Sequence, residues 1–157
     1  MEHELSHVDE DGTARMVDVG AKAVTDRRAV ASGVVRLSAA AAAAVAARDL
    51  PKGDVVTVAR IAGFQAAKRT WELIPLCHPI AITGIEVDVR LDGEDVLITA
   101  EVRTMDRTGI EMEALTAVAV AGLTVIDMVK AVDPGASIDR VRVEQKSGGA
   151  GGDWLRG

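Results

Sequence analysis

Between Ile82 and Met105 the chain alternates apolar and polar residues with little interruption. Ile85, Val87, Val89 and Leu91 are separated by Glu86, Asp88 and Arg90, and after Asp92-Gly93-Glu94-Asp95 the pattern returns as Val96, Ile98, Ala100 and Val102. A period of two with one wet face is that of a strand, and the Asp-Gly pair between the two runs is a hairpin turn, so an antiparallel pair is expected. Upstream, Ala29 to Leu37 reads as a first strand carrying Val30, Val34, Val35 and Leu37, and Ser38 then caps a helix over the alanine run Ala39 to Ala47. Pro51-Lys52-Gly53 breaks the chain, and Asp54 opens a second helix reaching Lys68 or Trp71.

Downstream, Thr108-Gly109-Ile110-Glu111 has the spacing of a capping box. The helix it opens runs to about Val132 and stops at Asp133-Pro134-Gly135, and Ile138 to Val143 alternate again as a last strand. Strand, two helices, hairpin, long helix, strand is the order of an α+β ferredoxin-like sandwich. That fold has a four-stranded antiparallel sheet with helices packed on one face, here with the first helix split in two. Its length of 157 residues fits one domain over 15–147, with a flexible N-terminus at 1–14 and a flexible glycine-rich C-terminus at 148–157.

Charge and cysteine usage narrow the function classes. A net charge of −6 disfavours non-specific nucleic-acid binding. One cysteine permits no internal disulfide, no apolar run of about 20 residues suggests a membrane span, and the charged first residues do not form a signal-peptide core. A cytoplasmic protein is expected. Lysines are scarce, five against thirteen arginines: Lys22, Lys52, Lys68, Lys130 and Lys146. A desolvated lysine can give up its proton where arginine cannot, so each is a candidate for proton transfer or compact phosphate contact.

Candidate chemistry gathers in four places. Cys77 and His78 lie in the apolar run Leu73 to Ile80 between two prolines, which deny it a helix and favour a rigid extended loop. Adjacent residues on extended chain point apart and no second Cys-His cluster exists, so a structural metal is disfavoured, and His78 is the better candidate for a ligand contact. Lys52 sits in a turn before a helix start, where anions are favoured. On the long helix, Asp127 and Lys130 are three apart and share a face, whereas Glu113 and Asp127 are about 21 Å apart along the axis. Either those two serve different purposes, or two copies of the helix run antiparallel across a dimer and share a pocket. Lys146-Ser147-Gly148-Gly149 suits a flexible anion-binding turn, without the full phosphate-loop spacing. By spacing alone Glu113, Asp127 and Lys130 read as an exposed helix face, and Lys52 reads equally as a turn lysine in water; a non-catalytic phosphate-binding module and an assembly subunit stay open, with the retained lysines favouring an enzyme over the module.

Taken together, Met16-Val17-Asp18-Val19, Lys52-Gly53-Asp54-Val55, Ala59 to Gly63, Ala66 to Trp71, Leu73 to Pro79, Thr108 to Thr116, Asp127 to Val132 and Lys146 to Gly149 closely resemble the cyclic pyranopterin monophosphate synthase family of molybdenum cofactor biosynthesis. The resemblance runs from about Met16 to Gly149. It implies a lyase that converts 3',8-cyclo-7,8-dihydroguanosine triphosphate to cyclic pyranopterin monophosphate and pyrophosphate. It also implies a homohexamer built as a trimer of dimers with the pocket at the dimer interface. No cofactor is implied as required, and Mg²⁺ beside the phosphates is left open. By resemblance, Asp127, Lys52 and Lys130 are catalytic. Leu76, Cys77, His78, Met112, Glu111 and Glu113 line the substrate pocket, and Arg27, Lys68 and Lys146 hold the triphosphate.

Overall fold

The computed structural model describes residues 8–157. An open antiparallel sheet is formed by β1 (Thr25–Arg36), β2 (Ile82–Asp92), β3 (Asp95–Asp106), β4 (Ser137–Ser147) and β5 (Trp154–Leu155), in the order β2-β3-β1-β4-β5. The helices are α1 (Ala39–Ala47), α2 (Val55–Lys68), the single turn α3 (Thr70–Leu73) and α4 (Glu111–Val129). The α+β class and the hairpin are as the sequence pattern expects. The sheet has five strands where four are expected, because β5 pairs with the end of β4 through Gln145↔Leu155 and Lys146↔Trp154. Of the N-terminal segment expected to be loose, residues 1–7 lie outside the described residues. Val8 bridges Ala14, and Asp9 Oδ1 accepts the Thr13 N–H at 2.8 Å.

Helix ends follow local chemistry. Ser38 accepts the Ala41 N–H to open α1, and Asp54 accepts the Val56 N–H to open α2. The capping box expected ahead of α4 does not form: Ile110 holds the N-cap position without a side-chain bond, and Glu111 is already inside the first turn. Its carboxylate instead accepts from Lys146 Nζ at 3.0 Å. Downstream of α4, the Asp133 carboxylate accepts the backbone N–H groups of Ser38 and Gly135, tying the helix exit to the start of α1.

One core collects Ala29, Ala31 and Val35 of β1, Val87 and Val89 of β2, Val96 to Val102 of β3 and the inward faces of α1, α2 and α4. Its side chains are small, so backbones come close. A Cβ on Gly33 would lie 2.6 Å from Val118 Cγ1, and one on Gly63 3.0 Å from Val87 Cγ1. At 19 residues α4 is long and apolar enough by length and composition to cross a bilayer, which the hydropathy of the sequence did not lead one to expect. Its faces through Ala114, Ala117, Ala121 and Val125 are fully buried in this core. The large apolar side chains left outside include both tryptophans, Trp71 at 47% and Trp154 at 41% exposure, and Leu123 of α4 at 57%.

Candidate active site

The two ends of α4 carry separate groups of chemistry-bearing side chains. At its C-terminal end, Asp127 is flanked by two amines. Lys130 Nζ donates to Oδ1 at 2.7 Å, and Lys52 Nζ donates to Oδ2 at 2.6 Å and to the Asp127 carbonyl at 3.1 Å. Lys52 arrives from a turn closed by the Gly53 N–H to the Leu50 carbonyl, with Pro51 at the position its fixed φ favours and Gly53 at φ +98°. A carboxylate in the last turn opposes the helix dipole, whose C-terminal end favours cations. Here the two ammonium groups overcome that disadvantage and hold the Asp127 carboxyl down to about 2, Lys130 contributing most.

At the N-terminal end of α4 lies a cleft of about 580 Å³. Its walls include Leu76, Cys77 and His78 from the loop before β2 and Glu111, Met112 and Glu113 from the first helical turn, all named from the sequence. The loop is not extended throughout as expected: the Cys77 N–H bonds the Ile74 carbonyl at 3.1 Å, making a turn around Pro75-Leu76 before the chain straightens at His78. Glu113 is 3% exposed and its Oε2 has no hydrogen-bond partner. Burial pushes its carboxyl up to about 7, and the charges of Glu111 and Asp106 add to the shift. Burial also pushes the Cys77 thiol up, with Glu113 adding to it, which leaves the thiol less nucleophilic.

Sequence reasoning missed the rest of this wall. Val17, Val19 and Lys22 from the segment before β1, with Thr108 and Gly109, complete the cleft. Lys22 carried a signal, its rarity as a lysine, but nothing in the local pattern said where it would lie.

The three expected phosphate-holding cations lie in different elements. Lys146 is not in a flexible turn: it belongs to β4, paired to Ala29, and reaches Glu111 on the cleft wall. Arg27 of β1 donates from Nε to the Asp106 carbonyl at 3.0 Å and its guanidinium abuts Gly149. Lys68 faces a second cleft of about 450 Å³ beside Phe64 and Ile82, adjoining the first through Ile80. Among the described residues no group of three or more His, Cys, Asp and Glu is disposed to hold a metal ion.

This arrangement offers an ionised carboxylate that orients two amines at one end of α4, and at the other a semi-enclosed cleft with a buried acid, an imidazole and a cysteine. Within one chain the two ends are about 21 Å apart along the helix.

The chain is similar to proteins called cyclic pyranopterin monophosphate synthase over nearly its whole length. It is 58% identical to cyclic pyranopterin monophosphate synthase 2 of Mycobacterium tuberculosis, covering 98% of this chain and 92% of that protein. The synthase of Streptomyces coelicolor is 58% identical, with 97% and 89% covered, and that of Thermomicrobium roseum 57% identical, with 98% and 93% covered. Residues 16–149 match the MoaC family, and with relatives this similar across almost the full length, the chain belongs to that family.

Proposed function

We propose that this protein is a cyclic pyranopterin monophosphate synthase of molybdenum cofactor biosynthesis, acting on 3',8-cyclo-7,8-dihydroguanosine triphosphate. Water opens the purine-derived ring, which is rebuilt as a pyranopterin. A sugar hydroxyl then attacks the α-phosphorus, the bond from that phosphorus to the bridging oxygen of the β-phosphate breaks, and pyrophosphate leaves. The observation that carries the reading is the Lys52–Asp127–Lys130 cluster in a chain this similar to named synthases. Exposed ion pairs add little to stability, so two of the five lysines converging on one carboxylate are better explained by chemistry than by folding.

In this scheme Asp127 stays ionised and fixes both amines, while Lys52 and Lys130 carry protons to and from the ring and leaving groups. The cleft walls Leu76, Cys77, His78 and Met112 bind the pterin precursor, and Glu111 and Glu113 accept its guanidine-type N–H donors. Arg27, Lys68 and Lys146 supply positive charge for the triphosphate in a chain whose net charge is negative.

One chain separates its amine cluster from its cleft along α4, so the complete pocket takes one end from each of two chains. A homohexamer of such dimers in the cytoplasm is the assembly we assign. The exposed apolar side chains of Met112 and Leu123 on α4 support a partner surface there. The order β4-β1-β3-β2 within the sheet supports a ferredoxin-like sandwich with α1 and α2 as its divided first helix.

The test is incubation of the purified protein with the cyclised GTP-derived substrate. Release of pyrophosphate together with a product that oxidises to a fluorescent pterin is expected. Pyrophosphate-free, unchanged substrate would overturn the reading and favour a non-catalytic phosphate-binding module.

A further inference from the structure

Residues after Gly149 lie beyond the stretch that matches the family, yet they are built into the sheet. The chain reverses at Gly148 and Gly149, both at positive φ, where Gly148 abuts the Asp26 carbonyl and Gly149 the Arg27 guanidinium. Gly152 N–H bonds the Gly149 carbonyl at 3.2 Å, and the Gly148 N–H bonds Asp153 Oδ1 at 3.1 Å. Trp154 and Leu155 then run back along the outer edge of β4. Arg156 closes the segment: its N–H bonds the Glu144 carbonyl at 2.9 Å, its Nε bonds the Val143 carbonyl at 2.8 Å, and its guanidinium lies 5.2 Å from the Trp154 ring centroid.

The register says what this closure does. Ala29, Lys146 and Trp154 form one row across three strands, Ala29 paired to Lys146 and Lys146 to Trp154. Residues directly opposite in a sheet point to the same side. Ala29 is fully buried on the helix side, so its row points there too, where Lys146 reaches Glu111 on the cleft wall. Without β5, Lys146 would stand at an open edge, next to the last residue of its strand, where pairing frays.

We infer that the segment Gly148–Arg156 is a positioning strap: by pairing with the last residues of β4, it fixes Lys146 beside Glu111 on the cleft wall for an anionic, phosphate-bearing substrate. The inference rests on the synthase reading only in its choice of substrate. Trp154 and Arg156 touch no reacting group in it; they act through Lys146.

Two variants unfasten the strap differently: Trp154→Pro removes an N–H and disfavours the strand, and Arg156→Ala removes the closing bonds. For each that keeps the wild-type circular dichroism spectrum, KM for the cyclised substrate is expected to rise about tenfold, with kcat within about two-fold, as when a single charge-assisted hydrogen bond to substrate is removed. Trp154→Phe keeps the strand and is expected to keep the wild-type KM. In a Lys146→Ala background, adding Arg156→Ala should change KM by less than about two-fold, because the two act in series.

An unchanged KM in folded Trp154→Pro or Arg156→Ala, or effects of Lys146→Ala and Arg156→Ala that multiply, overturns the inference. Inorganic pyrophosphate binding by calorimetry separates this from failure of the synthase reading. Should the wild type bind pyrophosphate and leave the substrate unconverted, the function falls. The strap still stands if Arg156→Ala weakens that binding about tenfold, and falls if it does not.

Discussion

Lys52 and Asp127 lie 75 positions apart in the sequence and meet at 2.6 Å, and the same ammonium also satisfies the Asp127 main-chain carbonyl near the end of α4. A single lysine thus closes the helix end and loads the carboxylate, so the turn at Pro51-Lys52-Gly53 and the last turn of α4 are positioned against each other.

Lys130→Arg keeps the charge and the pairing with Asp127 and removes the readily exchanged proton. Turnover is expected to fall by at least about 100-fold with KM within a few-fold, the scale on which general acid–base catalysis operates. Steady-state pyrophosphate release measures both, and near-normal kcat would exclude Lys130 from proton transfer.

The division of the site between two chains is checked by mixing inactive variants. Asp127→Ala and Glu113→Ala proteins, each without activity, are unfolded together and refolded as a mixture. If each pocket takes one end of α4 from either partner, half the dimers are mixed and one pocket in each is intact, giving about a quarter of wild-type activity. A mixture as inactive as its components places both residues in a pocket belonging to one chain.

Glu113 makes stability depend on pH in a fixed direction. Its folded carboxyl titrates near 7, against about 4.3 in an unfolded chain. Between those values the folded protein holds a proton the unfolded chain has lost, so this group's stabilising contribution is full below the window and falls as pH rises through it, by up to about 4 kcal/mol. Glu113→Gln removes the dependence. Urea unfolding should show the variant gaining on the wild type from about pH 5 to about pH 8, and parallel curves would remove Glu113 from that role. Asp127 acts oppositely: its lowered carboxyl stabilises above about pH 4 and loses that contribution as pH falls toward 2.

Lys146→Ala is expected to weaken substrate binding and to lessen its dependence on salt, since one phosphate-directed charge is gone. Calorimetry at two ionic strengths reads both effects. Equal affinity in variant and wild type would take Lys146 out of the phosphate site.

Gly33→Ala tests the packing of α4 on the sheet. Its new methyl group would meet Val118 at 2.6 Å between the central strand and the helix, so the backbone or Val118 must move. A loss of about 1–3 kcal/mol in urea unfolding is expected, and an unchanged midpoint would mean that helix and sheet separate freely.

Much of the fold was legible because periodicity and end signals agreed. Ala39–Ala47 is the helix its composition implies, and Ile82–Asp92 with Asp95–Asp106 is the hairpin its alternation implies. The end of β4 was not legible: Glu144-Gln145-Lys146-Ser147 is polar without alternation, and its strand character comes from partners on both sides, β1 and β5. The capping box at Thr108 failed because the helix starts later than the motif assumes and Glu111 found Lys146, a partner 35 positions away. In the site, Asp127 with Lys130 follows from helical spacing alone. Lys52 joining them required the tertiary fold, and so did the placing of Lys22 on the same cleft as His78.

The placement of the aromatic residues has a consequence for anyone following this protein by light. There is no tyrosine, one phenylalanine and two tryptophans, and Trp71 and Trp154 both stand partly in solvent. Emission therefore reports the approach to the Pro75 loop and the strap on β4, while the valine and alanine interior is silent. Fluorescence and far-ultraviolet dichroism watch different parts of the molecule, and a shift seen only in the first marks a local rearrangement with the interior still assembled.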